Sequence, residues 1–228
     1  MRAQAIATEI SEDDYLREVR HQHFWKTLEH FVRKASFSFP RNRQCLILDV
    51  ACGDAEEAVV LNCFFGSGIY CIPTLEAKVY GVEQSEKKVR MARANLDRYC
   101  PASFAAPFNL VSNCELVQGD ARELSQMGSL PEKVDFILVR HPHIREDRDK
   151  RDTNWQRIFS ECLQKLDPNG LFMITSFIEM ENELILSTLS GLPARVLINE
   201  LNPHAIPLIH NDPIAGDKWV TLVKRIQR

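Results

Sequence analysis

Apolar side chains recur at helical spacing near the start of the chain, at Tyr15, Leu16, Val19, Phe24, Leu28, Phe31 and Val32. That spacing predicts one long or broken amphipathic helix over residues 12–35, and Pro40 closes the segment. Residues 45–50 form a short apolar run and predict a buried strand, followed by a helix over about 55–64. Residues 78–83 (Lys-Val-Tyr-Gly-Val-Glu) predict a second strand. Ser85 is placed to cap the next helix, which carries Val89, Ala92, Leu96 and Tyr99 on one face. Third and fourth strands are predicted at 114–117 and 134–139. A helix over 153–166 shows the stripe Trp155, Ile158, Phe159, Cys162, Leu163 and Leu166. Asp167-Pro168-Asn169-Gly170 reads as a turn before a fifth strand at 171–177. A helix near 180–190 and strands near 194–199 and 218–225 complete the pattern. No internal repeat or low-complexity segment is present.

Strands that alternate with helices imply an α/β fold, a parallel sheet with helices on both faces. In such a sheet the ligand lies outside the carboxyl ends of the strands, at the point where the winding reverses. Here that point is expected at strands one and four.

Composition narrows the class. A chain of 228 residues, 45% hydrophobic and 26% charged, fits one soluble α/β domain with additions. No apolar run approaches the roughly 18 residues of a membrane span, and the first residues lack a signal-peptide core. The seven cysteines, at 45, 52, 63, 71, 100, 114 and 162, form no C-x-x-C pair. They read as reduced core thiols of a cytoplasmic protein, with no metal site. A net charge of −3 gives no strong non-specific pull toward nucleic acid.

Residues 46–55 read Leu-Ile-Leu-Asp-Val-Ala-Cys-Gly-Asp-Ala. A buried strand ends in Asp49, small residues and Gly53 follow, and an acid-rich helix begins at about Asp54. Gly53 permits dihedrals closed to other residues. A dinucleotide fingerprint needs three glycines, and a phosphate-binding P-loop needs a terminal Lys-Ser/Thr. This turn has one glycine, no lysine, and the acids Asp49, Asp54, Glu56 and Glu57. Acids repel phosphate and favour a cation. The plainer alternative is a strand-to-helix turn with no ligand.

At this segment the sequence resembles the class I S-adenosylmethionine (SAM) dependent methyltransferases. Their first motif often reads D-x-x-C-G-x-G, and SAM carries an ammonium and a sulfonium. Asp49, Cys52 and Gly53 fit, while Ala55 stands where the last glycine is usual. The resemblance implies a doubly wound, seven-stranded Rossmann-like sheet over residues 44–228, mostly parallel with the last strand antiparallel. Residues 1–43 would form an N-terminal helical cap.

Glu83 ends the second strand, where an acid can accept hydrogen bonds from both ribose hydroxyls. Nicotinamide enzymes use the same device. Gly119-Asp120-Ala121 follows the third strand, and the resemblance places an acid there on the adenine amino group; Asp120 is equally suited to cap a helix. The implied cofactor-binding set is Asp49, Ala51, Cys52, Gly53, Glu83, Gln84, Asp120, Ala121 and Arg140. One spacing departs from a compact unit: Gly53 and Glu83 are 30 positions apart. The excess lies at 66–76, and a second long connection spans 100–112; both read as packing or partner surfaces.

Substrate contacts are expected from segments 19–26, 140–152 and 200–217. Arg140-His141-Pro142-His143 follows strand four, where the family places the methyl acceptor. His141 or His143 is a candidate general base, and Arg140 a candidate anion clamp. A base is needed only where the acceptor loses a proton. The R-H-P-H segment lacks the N-P-P-Y type motif of base-modifying DNA enzymes. Residues 141–152 faintly resemble the transfer-RNA guanine-N7 methyltransferases, with Pro142, Arg148, Lys150 and Arg151 as the echo. Yet Arg145, Arg148, Lys150 and Arg151 are matched by Glu146, Asp147, Asp149 and Asp152, which reads as an internally paired loop. Residues 200–217 offer Asn202, His204, His210, Asn211 and Asp212, and their prolines suggest a shaped, lid-like loop. His21 and His23 are two apart and share no helical face, so they are not expected to bind metal. Phe24 and Trp25 read as packing.

The sequence is thus read as a cytoplasmic SAM-dependent methyltransferase with SAM as cofactor. A small-molecule acceptor is preferred over nucleic acid, and no membrane is involved. The rivals are a transfer-RNA (guanine-N7-like) methyltransferase, an NAD-dependent oxidoreductase and a non-catalytic SAM-binding protein. No motif names the acceptor atom or an oligomeric state.

Overall fold

The computed structural model describes residues 12–38, 40, 43–66, 76–99, 113–147, 154–207 and 215–226. The long connections at 67–75 and 100–112 lie outside them, as do Cys71, Cys100, Arg148, Lys150, Arg151, His210, Asn211 and Asp212.

Strand β1 (Cys45–Val50) sits centrally, and its residues are covered on both faces. A continuous apolar run is what a doubly covered parallel strand requires. Cys45 and Ile47 point to one core, and Leu48 and Val50 to the other. Beside β1 lie β2 (Ala77–Glu83) and β4 (Val134–Arg140), both parallel to it. β3 (Cys114–Gln118) extends the sheet beyond β2, and β5 (Leu166–Ser176) extends it beyond β4. β6 (Ala194–Leu201) forms the far edge. Two-residue strands β7 (Ile206–Pro207) and β8 (Ala215–Gly216) form a small separate ribbon. β9 (Trp219–Arg225) inserts antiparallel between β5 and β6. The order β3-β2-β1-β4-β5-β9-β6 is the expected seven-stranded, doubly wound Rossmann-like sheet. Its winding reverses between β1 and β4, as expected.

One face is covered by α1 (Glu12–Lys34) and α2 (Glu56–Gly66), with α3 (Glu86–Tyr99) beside β2 and β3. Phe24, Leu28, Phe31, Leu61, Phe64, Phe136, Leu138 and Met173 fill that side. The other face carries α4 (Asn154–Lys165) and α5 (Glu179–Ser190) over Phe159, Leu163, Phe172, Ile174 and Ile185. Two short 3-10 turns, Ala121–Gln126 and Ile144–Asp147, were not visible in the hydrophobic pattern.

α1 is a single unbroken helix. Its buried stripe starts at Phe24; Tyr15 and Leu16 are 61% and 45% exposed. Periodicity predicts a face but not how far the partner surface beneath it extends. Trp25 stacks edge-on against Phe64 at 5.1 Å. Arg20 donates to Glu56 at 2.8 Å, and Lys34 pairs with Glu200 at 2.6 Å.

The Asp167–Gly170 turn is placed differently from expectation. It lies inside β5 rather than ahead of it. Pairing passes from Val134–Leu166 to Phe136–Leu171, so residues 167–170 bulge out, and the Asn169 N–H donates to Asp167 Oδ1 at 2.9 Å. The proline lacks an N–H for the ladder, which a bulge accommodates.

Cys52, in the turn after β1, packs onto Gly81 of β2. A Cβ on Gly81 would lie 2.7 Å from Leu116 Cδ2 and 3.0 Å from Cys52 Sγ. Gly81→Ala is therefore expected to destabilise the fold by about 1–3 kcal/mol, read as a lower urea midpoint at unchanged slope.

Candidate active site at the carboxyl edge of the sheet

The chain leaves β1 through a tight turn. Cys52 N–H donates to Val82 O at 3.1 Å, and Ala55 N–H to Cys52 O at 2.8 Å. Ala51, Gly53 and Ala55 have φ of 57°, 58° and 58°. Each left-handed alanine costs about 1–2 kcal/mol. Ala55 thus keeps the tight turn without the usual glycine, at the price of strain. Nothing lies within 4 Å of where a Gly53 Cβ would be, so the backbone there is open to close approach.

Glu83 is buried beside this turn. Its Oε2 accepts from Gly53 N–H at 3.2 Å and its Oε1 from Ser85 N–H at 2.8 Å. Each carboxylate oxygen has a second lone pair for another donor. Gln84 beside it is exposed.

Arg140, the last residue of β4, is the centre of the site. Its Nε and Nη2 donate to Asp217 at 2.9 and 2.8 Å, and its Nη1 donates to Glu57. Its guanidinium lies 4.9 Å from the Phe24 ring centroid. Burial alone would favour the neutral form, but Asp217 and Glu57 outweigh it and hold Arg140 above the ordinary arginine range. Burial likewise opposes the Asp217 charge, but Arg140 and then His141 hold its carboxyl well below the usual carboxylate range. Arg140, expected as an anion clamp, grips two carboxylates of its own chain.

His141 has φ of 52° and stacks on Phe177 at 3.7 Å between centroids. Its Nε2 is 3.0 Å from both the Asp217 N–H and Asp217 Oδ1. That nitrogen is engaged within the chain, so His141 pins the 215–217 turn to β4. His143 is exposed on the following loop. Arg145 reaches Glu181 on α5 at 3.1 Å, and the side chains of the acids expected to pair with it, Glu146, Asp147, Asp149 and Asp152, lie outside the described residues.

The three expected substrate segments do meet in their described parts. Asn202 Nδ2 donates to Thr27 Oγ1 and to Asp217 O, both at 2.9 Å. His23 Nδ1 lies 2.9 Å from His204 O. α1, the 202–205 turn and the 215–218 turn are thereby joined over the end of β4.

Five buried polar atoms have no hydrogen-bond partner among the described residues: His21 Nε2, Asp49 Oδ2, Thr175 Oγ1, Ser176 Oγ and Trp219 Nε1. Asp49, Thr175, Ser176 and Trp219 sit at the same edge, since Arg140 registers with Thr175 and Ser176 with Trp219. His21 lies on α1 above Glu56 and Glu57. Burial, Glu57 and Asp54 raise Asp49 well above the usual carboxylate range, against the pull of Arg140. Such an orphaned buried carboxylate calls for a cationic or donor ligand.

Asp120 caps the Ala121–Gln126 turn by accepting from Arg122 N–H at 2.9 Å, and the Arg122 side chain grips the same carboxylate. That side-chain hydrogen bond holds it below the usual carboxylate range. Ala121 is half-buried beside it. Cys45, Cys52 and Cys162 are buried free thiols, and burial pushes each of them up. Among the described residues no cluster of three His, Cys, Asp or Glu is arranged for a metal, and no helix is long and apolar enough to cross a membrane. Sequence reasoning missed Asp217, whose only local signal was an acid after Gly216 just ahead of the last strand. It also missed that Glu57 pairs with Arg140.

The model of a methyltransferase domain matches residues 41–222. The chain belongs to this methyltransferase family. It is an enzyme, and its methyl donor is S-adenosylmethionine. Its fold is shared by distant solved structures. An S-adenosylmethionine-dependent methyltransferase from Clostridium acetobutylicum ATCC 824 superposes with a TM-score of 0.59 at 11% identity, covering 90% of this chain and 92% of that one. A glycopeptide N-methyltransferase complexed with sinefungin gives 0.58 at 13%, covering 90% and 86%. An rRNA methylase from Streptococcus thermophilus gives 0.54 at 13%, covering 90% and 95%.

In this methyltransferase the Arg140 hub carries a stability prediction. Asp217→Asn would leave Glu57 as the only carboxylate on the buried guanidinium and weaken the bonds from its Nε and Nη2, and is expected to cost about 1.5–3 kcal/mol at neutral pH. Because folding depresses the Asp217 pKa, its contribution is full above the unfolded value of 3.8 and is lost as pH falls through and below it. Denaturant titrations of both proteins over a pH series should show the gap narrowing only at the acid end.

Proposed function

We propose that S-adenosylmethionine binds across the β1 turn with its amino-acid end toward Asp49, and that the acceptor is a small molecule enclosed beneath α1. One observation carries the reading. Asp49 is a buried carboxylate with an unpartnered oxygen, at the end of β1, beneath a turn whose Gly53 leaves space for a ligand. An ammonium supplies the missing donor and charge. Glu83 has lone pairs left for ribose hydroxyls. Ala51, Cys52 and Gly53 contribute turn backbone, and Gln84, Asp120 and Ala121 flank the base side. Residues 1–43 serve as the cap and 44–228 as the catalytic domain.

Enclosure supports the small acceptor. Phe24 covers Arg140, and α1 is bonded to both α2 and the 202–205 turn, so among the described residues α1 roofs this part of the edge. Transfer is an in-line displacement at carbon, in which alignment supplies much of the acceleration. The rival acceptor is RNA, which would show as tight, steeply salt-dependent binding in a filter assay.

Calorimetric titration of S-adenosylhomocysteine and of NAD tests the cofactor site. Glu83→Gln should weaken the homocysteine product roughly 10- to 150-fold, the loss of about 1.5–3 kcal/mol of charge-assisted bonding. Binding of NAD in its place would sink the reading.

Asp49→Asn should separate function from stability. Folding raises the Asp49 pKa, so above that pKa the carboxylate destabilises the native state, and the penalty fades as pH falls. The variant should bind S-adenosylhomocysteine at least tenfold more weakly, yet melt higher at neutral pH by roughly 2–4 °C per kcal/mol relieved.

A further inference from the structure

The two histidines that follow β4 are poorly placed for proton transfer: His141 Nε2 is held by Asp217, and His143 is exposed. A third imidazole sits over the site. His21 lies on α1 one residue after Arg20, which bonds Glu56, and three before Phe24, which covers Arg140. That spacing puts it on the helix face turned to the first turn of α2. Its Nε2 is buried and has no hydrogen-bond partner among the described residues. A buried imidazole nitrogen without a partner is uncommon and calls for an explanation.

We propose that His21 is the proton acceptor of the methyl transfer, and that the substrate is correspondingly one whose nucleophilic atom carries hydrogen, a hydroxyl or an N–H group. The proposal rests on the cofactor placement given above. In the step, the acceptor's lone pair forms a bond to the methyl carbon. The carbon–sulfur bond breaks, and its electron pair stays on sulfur. The proton of the acceptor passes to His21 Nε2.

The surroundings suit both states of the ring. Burial lowers the His21 pKa from its ordinary value, so the ring is neutral and able to take a proton at neutral pH. The charged groups around it are Glu56 and Glu57 on α2 and Glu18 and Arg17 on its own helix. Arg140 and Asp49, on the sheet edge below, face Glu57. Glu56, Glu57 and Glu18 favour the imidazolium once it forms, although Glu56 and Glu57 are themselves paired with Arg20 and Arg140 and Arg17 opposes it.

The test follows the His21 imidazole by NMR in the full-length, nitrogen-15-labelled protein. Its signal is assigned by its loss in His21→Gln, or in His21→Asn should the first variant not fold. The pH titration is run free, with S-adenosylhomocysteine and with sinefungin. The homocysteine product is uncharged at sulfur, whereas sinefungin carries an amine at the position of the transferring methyl. If His21 faces the reacting centre, the cationic amine should depress its pKa by about one unit relative to the homocysteine complex, a tenfold loss of proton affinity. Identical titration curves in the two complexes, with calorimetry showing that both ligands bind, would overturn the His21 assignment and leave the cofactor site standing. Failure of both ligands to bind would overturn the cofactor placement and this proposal together.

Discussion

A single buried guanidinium organises the functional end of this protein. Arg140 ends β4, and its charge is balanced by Glu57 from the helix after β1 and by Asp217 from the turn before β9. These residues are far apart in sequence, and the pairing draws three loops to one point. A buried pair of this kind is weak evidence of stability, because the ions lose hydration on burial. Its effect is geometric. Glu57 orients the start of α2, Asp217 draws in the 215–217 turn, and Phe24 of α1 lies against the guanidinium. The roof and floor of the site are thereby set by one residue.

Around that hub the protein departs from the rules obeyed in its core. Ala51, Ala55, His141 and Asp217 all hold left-handed backbone, and all lie at the carboxyl edge of the sheet. The orphaned Asp49 oxygen and the unpartnered Thr175, Ser176 and Trp219 atoms lie there too. Strain and unmet hydrogen-bonding capacity are thus gathered at one place, the edge at which the cofactor is proposed to bind. The two core clusters away from this edge are packed with ordinary aliphatic and aromatic side chains.

Much of the fold was legible in the residues. β1, β2, β4 and the helices with clear stripes fell within a few positions of expectation, because parallel strands need continuous apolar runs and surface helices need periodic ones. The Asp49 to Gly53 turn was equally legible, since a lone glycine among acids excludes phosphate. Less legible were features set by distant partners. The Asp167–Gly170 turn became a bulge because β4 pairs on both sides of it. Arg145 reached Glu181 on another helix. The carboxylates that Arg140 grips likewise come from distant parts of its own chain.

The sequence by itself determined the strand and helix order and the place of the tight, acid-rich turn after β1. These are local properties, fixed by periodicity and by residue types within a few positions. Only the tertiary structure decided which groups are free to act. His141 reads as an available base in the chain, but folding engages it with Asp217 and leaves His21 unpartnered. Such outcomes depend on burial and on partners far apart in the chain, 83 residues between Glu57 and Arg140 and 181 between His23 and His204. Desolvation and pairing are properties of the folded neighbourhood, and no local spacing encodes them.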